Sequence, residues 1–236
     1  MPYFSVIIPV YNRPDEVREL LESLSKQTLK DFEVLLIEDG SVNRCDTVAQ
    51  EFDKDLNICY FYKENSGRSL TRNYGMERAS GEYLIFFDSD CIIPERYFEI
   101  VKARLEEDYV DCFGGPDAAH TSFSNLQKAI SYSMTSFFTT GGIRGGKKGM
   151  EKFTPRTFNM GFSKEVYKRV GGFKDMFGED IDFSLTLFLG IVAPPAAERG
   201  KLHRAFSVQQ QLPEILLANF FKHFAHIVGQ IRLDAF

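Results

Sequence analysis

None of the four cysteines, Cys45, Cys59, Cys91 and Cys112, forms a C-x-x-C pair with another, so the sequence suggests neither a zinc knuckle nor a dithiol redox motif. Positive charge is not in excess: 28 Lys and Arg stand against 33 Asp and Glu, a formal net charge of -5. That balance argues against a general polyanion-binding surface, and nucleic acid is not an expected partner. No uninterrupted apolar stretch approaches the length of a membrane span. Nor does a basic segment followed by an apolar one precede the strand pattern that begins by Phe4, so no secretory signal is visible. The expectation is a soluble cytoplasmic protein with free thiols, able to touch the inner face of a membrane. Internal repeats are absent. The stretch GGIRGGKKG at 141–149 holds five glycines and three cations but lacks the G-x-x-x-x-G-K-[ST] spacing of a phosphate-binding loop. It reads either as a lid or acceptor loop or as a plain loop.

What is there is the composition of a globular domain, 44% apolar and 26% charged over 236 residues, a length suited to one large α/β domain. YFSVIIPV (3–10) and FEVLLIEDGS (32–41) are apolar runs that end in polar tips, as buried parallel strands do. Between them Val17, Leu20, Leu21 and Leu24 fall at i, i+3, i+4 and i+7, behind Pro14 and Asp15, which suit a first helical turn. The alternation continues with a helix around 44–53, a strand at 57–63, a helix near 68–79 and the strand EYLIFFD. A helix at about 95–107 and a strand near 109–114 complete the regular half. This order predicts right-handed βαβ crossovers and a mostly parallel sheet with helices on both faces. Ligands of such sheets bind at the carboxyl ends of the strands. That edge gathers the tips at Tyr11–Arg13, Glu38–Ser41 and Asp88–Asp90. Further on, FTPRTFNMGFSKEVYKRVGGF predicts a strand, a short helix and a turn at Gly171-Gly172. Leu217, Phe220, Phe221, Phe224, Ile227, Val228 and Ile231 trace one face of a terminal helix, for core packing or for docking on a membrane surface.

The stretch GEYLIFFDSDCIIPE (81–95) drives an apolar strand into Asp88-Ser89-Asp90. Two carboxylates at one strand tip repel unless a lysine, an arginine or a divalent cation neutralises them. Mg2+ and Mn2+ take oxygen ligands, keep few protein carboxylates and complete their shell with substrate phosphates. An Asp-x-Asp tip facing a diphosphate meets that need, although acidic residues are also common in ordinary turns.

Four separated motifs, SVIIPVYNR (5–13), EDGS (38–41), NSGRSLTRNYGMERASGEYLIFFDSD (65–90) and NMGFSKEVYKRVGGFKDMFGEDIDF (159–183), occur in one order. Together they resemble the family 2 glycosyltransferases of the GT-A fold, of the inverting, bacterial surface-polysaccharide type. The resemblance implies a Rossmann-like nucleotide-binding sheet (1–114), a smaller acceptor-binding and catalytic part (115–200), and a C-terminal amphipathic helical segment (201–236) shorter than in longer relatives. All three belong to a single catalytic domain. It also implies inverting transfer of a sugar from a nucleotide-diphosphate donor, a UDP-sugar by preference, to a glycan or lipid-linked saccharide, assisted by Mn2+ or Mg2+. Pro9, Tyr11 and Asn12 then form the first loop around base and ribose, and Asp39 holds the uracil edge. Glu38 stands where the family more often has aspartate, which leaves open whether the two acids share that task. Arg68 and Arg72, at i and i+4 of a helix, face one pocket and contact base or diphosphate or balance the acidic tip. Asp90 is the metal ligand. Asp88 joins it or contacts ribose or metal-bound water, with Ser89 between them in the donor-binding set. Asp180, or Glu179 beside it, is the base that takes the acceptor's hydroxyl proton, with Asp182 two residues on. Acids at a helix start also occur for dipole reasons alone. Asn159, Met160 and Gly161 match an acceptor-side strand. His203 resembles a histidine that reaches metal or phosphate, or is a surface histidine; Pro194-Pro195 before it departs from the family pattern.

Two other functions share these features. A sugar nucleotidyltransferase has the same plan, but needs a glycine-rich basic loop after the first strand, where this chain has VYNRPDE. A non-catalytic nucleotide-sugar-binding relative need not keep both the acidic triplet and the GED carboxylates.

Overall fold

Strand β1 (Phe4–Val10) is buried along nearly its whole length because helices cover both faces of the sheet it centres. Its alternate side chains divide between two cores, as the twofold period of a strand requires. Val6 and Ile8 pack with Val17, Leu20, Leu21 and Leu24 of helix α1 (Pro14–Ser25), Val48 and Ala49 of α2 (Asp46–Glu51), and Phe98 and Val101 of α4 (Tyr97–Glu107). Ile7 faces the other way, onto Met76 of α3 (Arg68–Arg78), Val166 of α5 (Lys164–Val170) and Phe183 of α6 (Glu179–Val192). This computed structural model describes residues 1–114, 117–118, 157–192 and 215–217.

Beside β1 run β2 (Phe32–Asp39) and β4 (Tyr83–Phe86), both parallel to it, and β3 (Ile58–Lys63) is parallel to β2. β6 (Cys112–Gly114) and β8 (Met160–Ser163) complete the order β3-β2-β1-β4-β8-β6, in which β8 alone runs against its neighbours. This is the mostly parallel α/β sheet that the alternation of elements predicts. Gly161 of β8 lies opposite Phe113 of β6, and a Cβ there would collide with the Phe113 ring. The glycine thus lets an aromatic ring lie across the strand.

A second, three-stranded sheet joins β5 (Cys91–Ile92), β9 (Ile215–Leu217) and β7 (Asp117–Ala118). Leu217 therefore begins no helix. It pairs with Cys91, immediately after the acidic triplet. A short apolar segment takes whichever hydrogen-bonding partner the fold presents, and the partner here lies more than a hundred residues upstream. The remainder of the terminal stripe, the 141–149 loop, Pro194-Pro195 and His203 lie outside the described residues.

Candidate active site

Because β1, β2 and β4 are parallel, their carboxyl ends share one edge. There they border a cleft of about 530 Å³, lined by Pro9, Val10, Tyr11, Arg13, Asp39, Asn65, Gly67, Arg68, Thr71, Arg72, Asp88, Ser89 and Asp90. The chain leaves β1 through Asn12, in the left-handed region at φ 53°, a conformation asparagine tolerates better than most residues. The Asn12 side-chain oxygen accepts the N–H groups of Val42 (2.8 Å) and Asn43 (3.1 Å), while its own N–H donates to Ser41 Oγ (2.8 Å). Asn12 thus clamps the loop after β1 to the loop after β2 and is not among the residues that line the cleft. Tyr11 stands half-exposed at the rim.

The two acids that end β2 part company, as neighbours on a strand must. Glu38 turns inward, fully buried, and accepts from the Cys45 N–H (2.7 Å) and the Tyr60 hydroxyl (2.6 Å). Burial and this nearby carboxylate push the Cys45 thiol up to about 12. Asp39 turns to the cleft. Its Oδ1 meets the Lys63 ammonium and the Ser66 N–H (2.9 Å), and its Oδ2 accepts the Gly67 N–H (2.9 Å). Burial raises the Asp39 pKa, but the Lys63 and Ser66 hydrogen bonds outweigh it and hold the carboxyl below the ordinary range. The question left open at EDGS has a geometric answer: only Asp39 faces the cleft, and much of its acceptor capacity already organises the turn into α3.

That turn delivers Arg68 and Arg72 to the same side. Arg72, its side chain only 4% exposed, reaches Asp88 Oδ1 (3.3 Å) with one arm and Glu179 Oε1 (3.2 Å) with the other, and its Nε is buried without a partner among the described residues. Arg68 is 66% exposed and meets Glu179 through Nε (2.7 Å) and Nη2 (3.3 Å). Asp88 is half-exposed. Asp90 is buried beside it, with the Arg13 guanidinium 3.5 Å away. Burial, and then the Asp88 charge, push the Asp90 carboxyl up to about 6; Arg13 opposes the rise. Arginines therefore partner both acids of the triplet, and Asp90 still keeps a raised affinity for a proton. A group of three or more His, Cys, Asp or Glu side chains able to hold a metal does not occur among the described residues.

At the start of α6 the acids again separate. Glu179, 4% exposed, points between the two arginines. That position commits its carboxylate to the two guanidinium groups. Asp180 is half-buried, its Oδ1 accepting from the Ile181 N–H (3.0 Å), and Asp182 pairs with Lys174 (3.1 Å). Neither lines the cleft. Asn159 is fully buried and accepts from the Tyr97 hydroxyl (2.7 Å), a packing position rather than an open one. The site also contains residues that motif reading passed over: Arg13, Asn65 and Thr71 on its walls and Lys63 behind Asp39. Arg13 had a signal, since it belongs to the polar tip of a strand whose end lies on the ligand edge. Lys63 ends a strand in the same way.

Solved GT-A structures share this architecture. The structure of Staphylococcus aureus TarS 1-349 in complex with UDP superposes with TM-score 0.64 at 23% identity, over 80% of this chain and 55% of that one. The mannosyltransferase PcManGT of Pyrobaculum calidifontis, in complex with GDP-Man and Mn2+, superposes with TM-score 0.65 at 18% identity, over 92% and 57%. The fold is thus GT-A. The family model for glycosyl transferase family 2 matches residues 5–171, and the chain belongs to that family. A glycosyltransferase of Rickettsia felis without a characterised activity is 37% identical over 141 residues, 59% of this chain. Glycosyltransferase GlyA of Streptococcus pneumoniae is 37% identical over 108 residues, 45% of this chain. The matched stretches span only 22% and 16% of those two relatives.

Proposed function

We propose that this chain is the catalytic part of an inverting glycosyltransferase that takes a UDP-sugar as donor and transfers the sugar to a hydroxyl of a glycan or lipid-linked saccharide. The observation that carries the reading is the cleft itself. At the ligand edge of a GT-A sheet it sets three guanidinium groups, Arg13, Arg68 and Arg72, around a pair of acids. That is a surface for a diphosphate together with a cation, and the bound UDP of TarS and the GDP-Man and Mn2+ of PcManGT support this class of ligand. Asp88 and Asp90 fit a hard divalent ion that completes its shell with phosphate oxygens and water. Such an ion would offset the cost that burial and Asp88 place on the Asp90 charge. When bound, the ion supplies neutralisation of the charge that grows on the departing nucleotide. Tyr11 at the rim and Asp39 on the wall receive the base, and the arginines hold the phosphates. Asp180 removes the proton from the acceptor hydroxyl as its oxygen attacks the anomeric carbon. Work at the inner membrane face, on precursors of surface polysaccharide, fits this reading; no helix among the described residues is long and apolar enough to cross a membrane.

Thermal unfolding with a panel of nucleotides and nucleotide sugars tests it, since a ligand of the native state raises stability by mass action. UDP or a UDP-sugar with Mn2+ should raise the melting temperature, and chelator or Asp90→Asn should abolish the rise. Asp180→Asn should keep donor binding and lose transfer. Preference for a nucleoside triphosphate with release of pyrophosphate would replace this reading with a nucleotidyltransferase. Unchanged turnover in Asp180→Asn would remove the assigned base.

A further inference from the structure

Glu179 lies behind the cleft, and its carboxylate is the shared partner of the two cations that α3 contributes to the cleft wall. Arg68 reaches it at 2.7 Å and 3.3 Å, and Arg72 at 3.2 Å. The two guanidinium groups differ in freedom. Arg72 is 4% exposed and is also held by Asp88, with the Phe173 ring 5.5 Å from its guanidinium carbon. Arg68 is 66% exposed and has Glu179 as its anionic partner among the described residues. An arginine that must meet a donor's diphosphate therefore already carries an internal anion, and it is free enough on the solvent side to exchange one for the other. The geometry points to Glu179 as a positioning residue that acts as an exchangeable counter-anion. It holds Arg68 at the cleft when the site is empty and yields it to the diphosphate when nucleotide binds.

This rests on the reading of the cleft as a nucleotide-diphosphate site. Its consequence concerns release as much as binding. Three guanidinium groups around a diphosphate would retain the product nucleotide as firmly as the donor. A carboxylate competing for the most exposed of them lowers the affinity for both and shortens the residence of the product. Glu179 also begins α6, one residue before Asp180, so the exchange takes place at the helix end that carries the assigned base.

The test is calorimetric titration of UDP, with Mn2+, into the wild-type chain, Glu179→Gln, Arg68→Met and the double variant. Glutamine keeps the shape and an acceptor oxygen but not the charge. Glu179→Gln should bind UDP about tenfold more tightly and turn over more slowly with a lower donor KM. In the Arg68→Met background the same substitution should change affinity by less than about twofold. A merely structural ion pair predicts equal or weaker UDP binding in Glu179→Gln, and either result overturns the proposal. So does a tightening that persists in full without Arg68. If Glu179→Gln does not fold, Arg68→Met alone decides. Its side chain is exposed, so the melting temperature of the nucleotide-free protein should move by no more than about 2 °C while UDP affinity falls about tenfold; unchanged affinity overturns the proposal. Wild-type chain that binds no nucleotide diphosphate at all would fell the reading of the cleft and this inference together. Wild-type binding without the Glu179→Gln effect would fell the inference alone.

Discussion

Asp90 carries its negative charge against its surroundings, since burial and Asp88 push its carboxyl up to about 6 while Arg13 pulls back. An acid whose folded-state pKa lies above its unfolded value binds its proton more tightly in the folded chain. Stability is therefore lost as pH rises from about 4 to about 6, and the loss is complete above that range. In chelator, Asp90→Asn should be more stable than wild type at pH 7.5 by roughly 2–3 kcal/mol, with the difference vanishing near pH 4. Urea denaturation at the two pH values measures this, and a destabilised variant at pH 7.5 would contradict it. If Asp90 holds the ion as proposed, saturating Mn2+ and UDP should reverse the order. Glu38 serves the fold rather than the cleft. Its carboxylate satisfies the Cys45 N–H and the Tyr60 hydroxyl away from the cleft, so Glu38→Ala should cost roughly 2–4 kcal/mol in denaturant titration by orphaning both donors. The affinity of the folded protein for nucleotide should change far less.

Helix α3 is the element that furnishes most of the polar wall of the cleft opposite the acidic triplet. It carries Arg68, Thr71 and Arg72 into the cleft, and it can do so only by lying close against the sheet. A Cβ on Gly75 would approach Ile7 Cγ2 to 2.6 Å and Ile37 Cγ1 to 3.4 Å. In an exposed helix, alanine in place of glycine is favourable by about 1 kcal/mol. Here the methyl group must displace strand side chains packed at full density, and overpacking of that kind costs roughly 1–3 kcal/mol. Gly75→Ala should therefore lower the melting temperature and raise the donor KM, because moving the helix moves both arginines. A stabilised variant would mean that α3 does not sit as tightly as its contacts require.

Across the molecule, α3 is tied to the segment that leads into α6 by polar contacts, and Asn73 supplies two of them. Its amide nitrogen donates to the Phe173 carbonyl (2.8 Å), and its oxygen accepts the Phe173 N–H (2.7 Å). Phe173 in turn stacks on Phe183 of α6, with ring centroids 4.0 Å apart. This clasp fixes where α6 begins relative to α3. Asn73→Ala should cost roughly 1–3 kcal/mol in stability and reduce kcat more than it raises the donor KM. Kinetics at saturating and limiting donor separate the two effects; a change confined to KM would mean that the clasp serves only the donor.

Strand and helix alternation, the amphipathic face of α1, the spacing of Arg68 and Arg72 and the acid-tipped end of β4 were legible in the linear pattern. Each depends on neighbours a few residues apart and on periods of 2 or 3.6. The pairing of Leu217 with Cys91, the inward turn of Glu38 and the commitment of Glu179 to two arginines were not legible. Those are fixed by partners that become neighbours only once the sheet has assembled; Arg68 and Glu179 stand 111 positions apart in the chain. Which of two adjacent carboxylates is buried on a guanidinium and which is turned away from it is a matter of direction, and direction comes from packing.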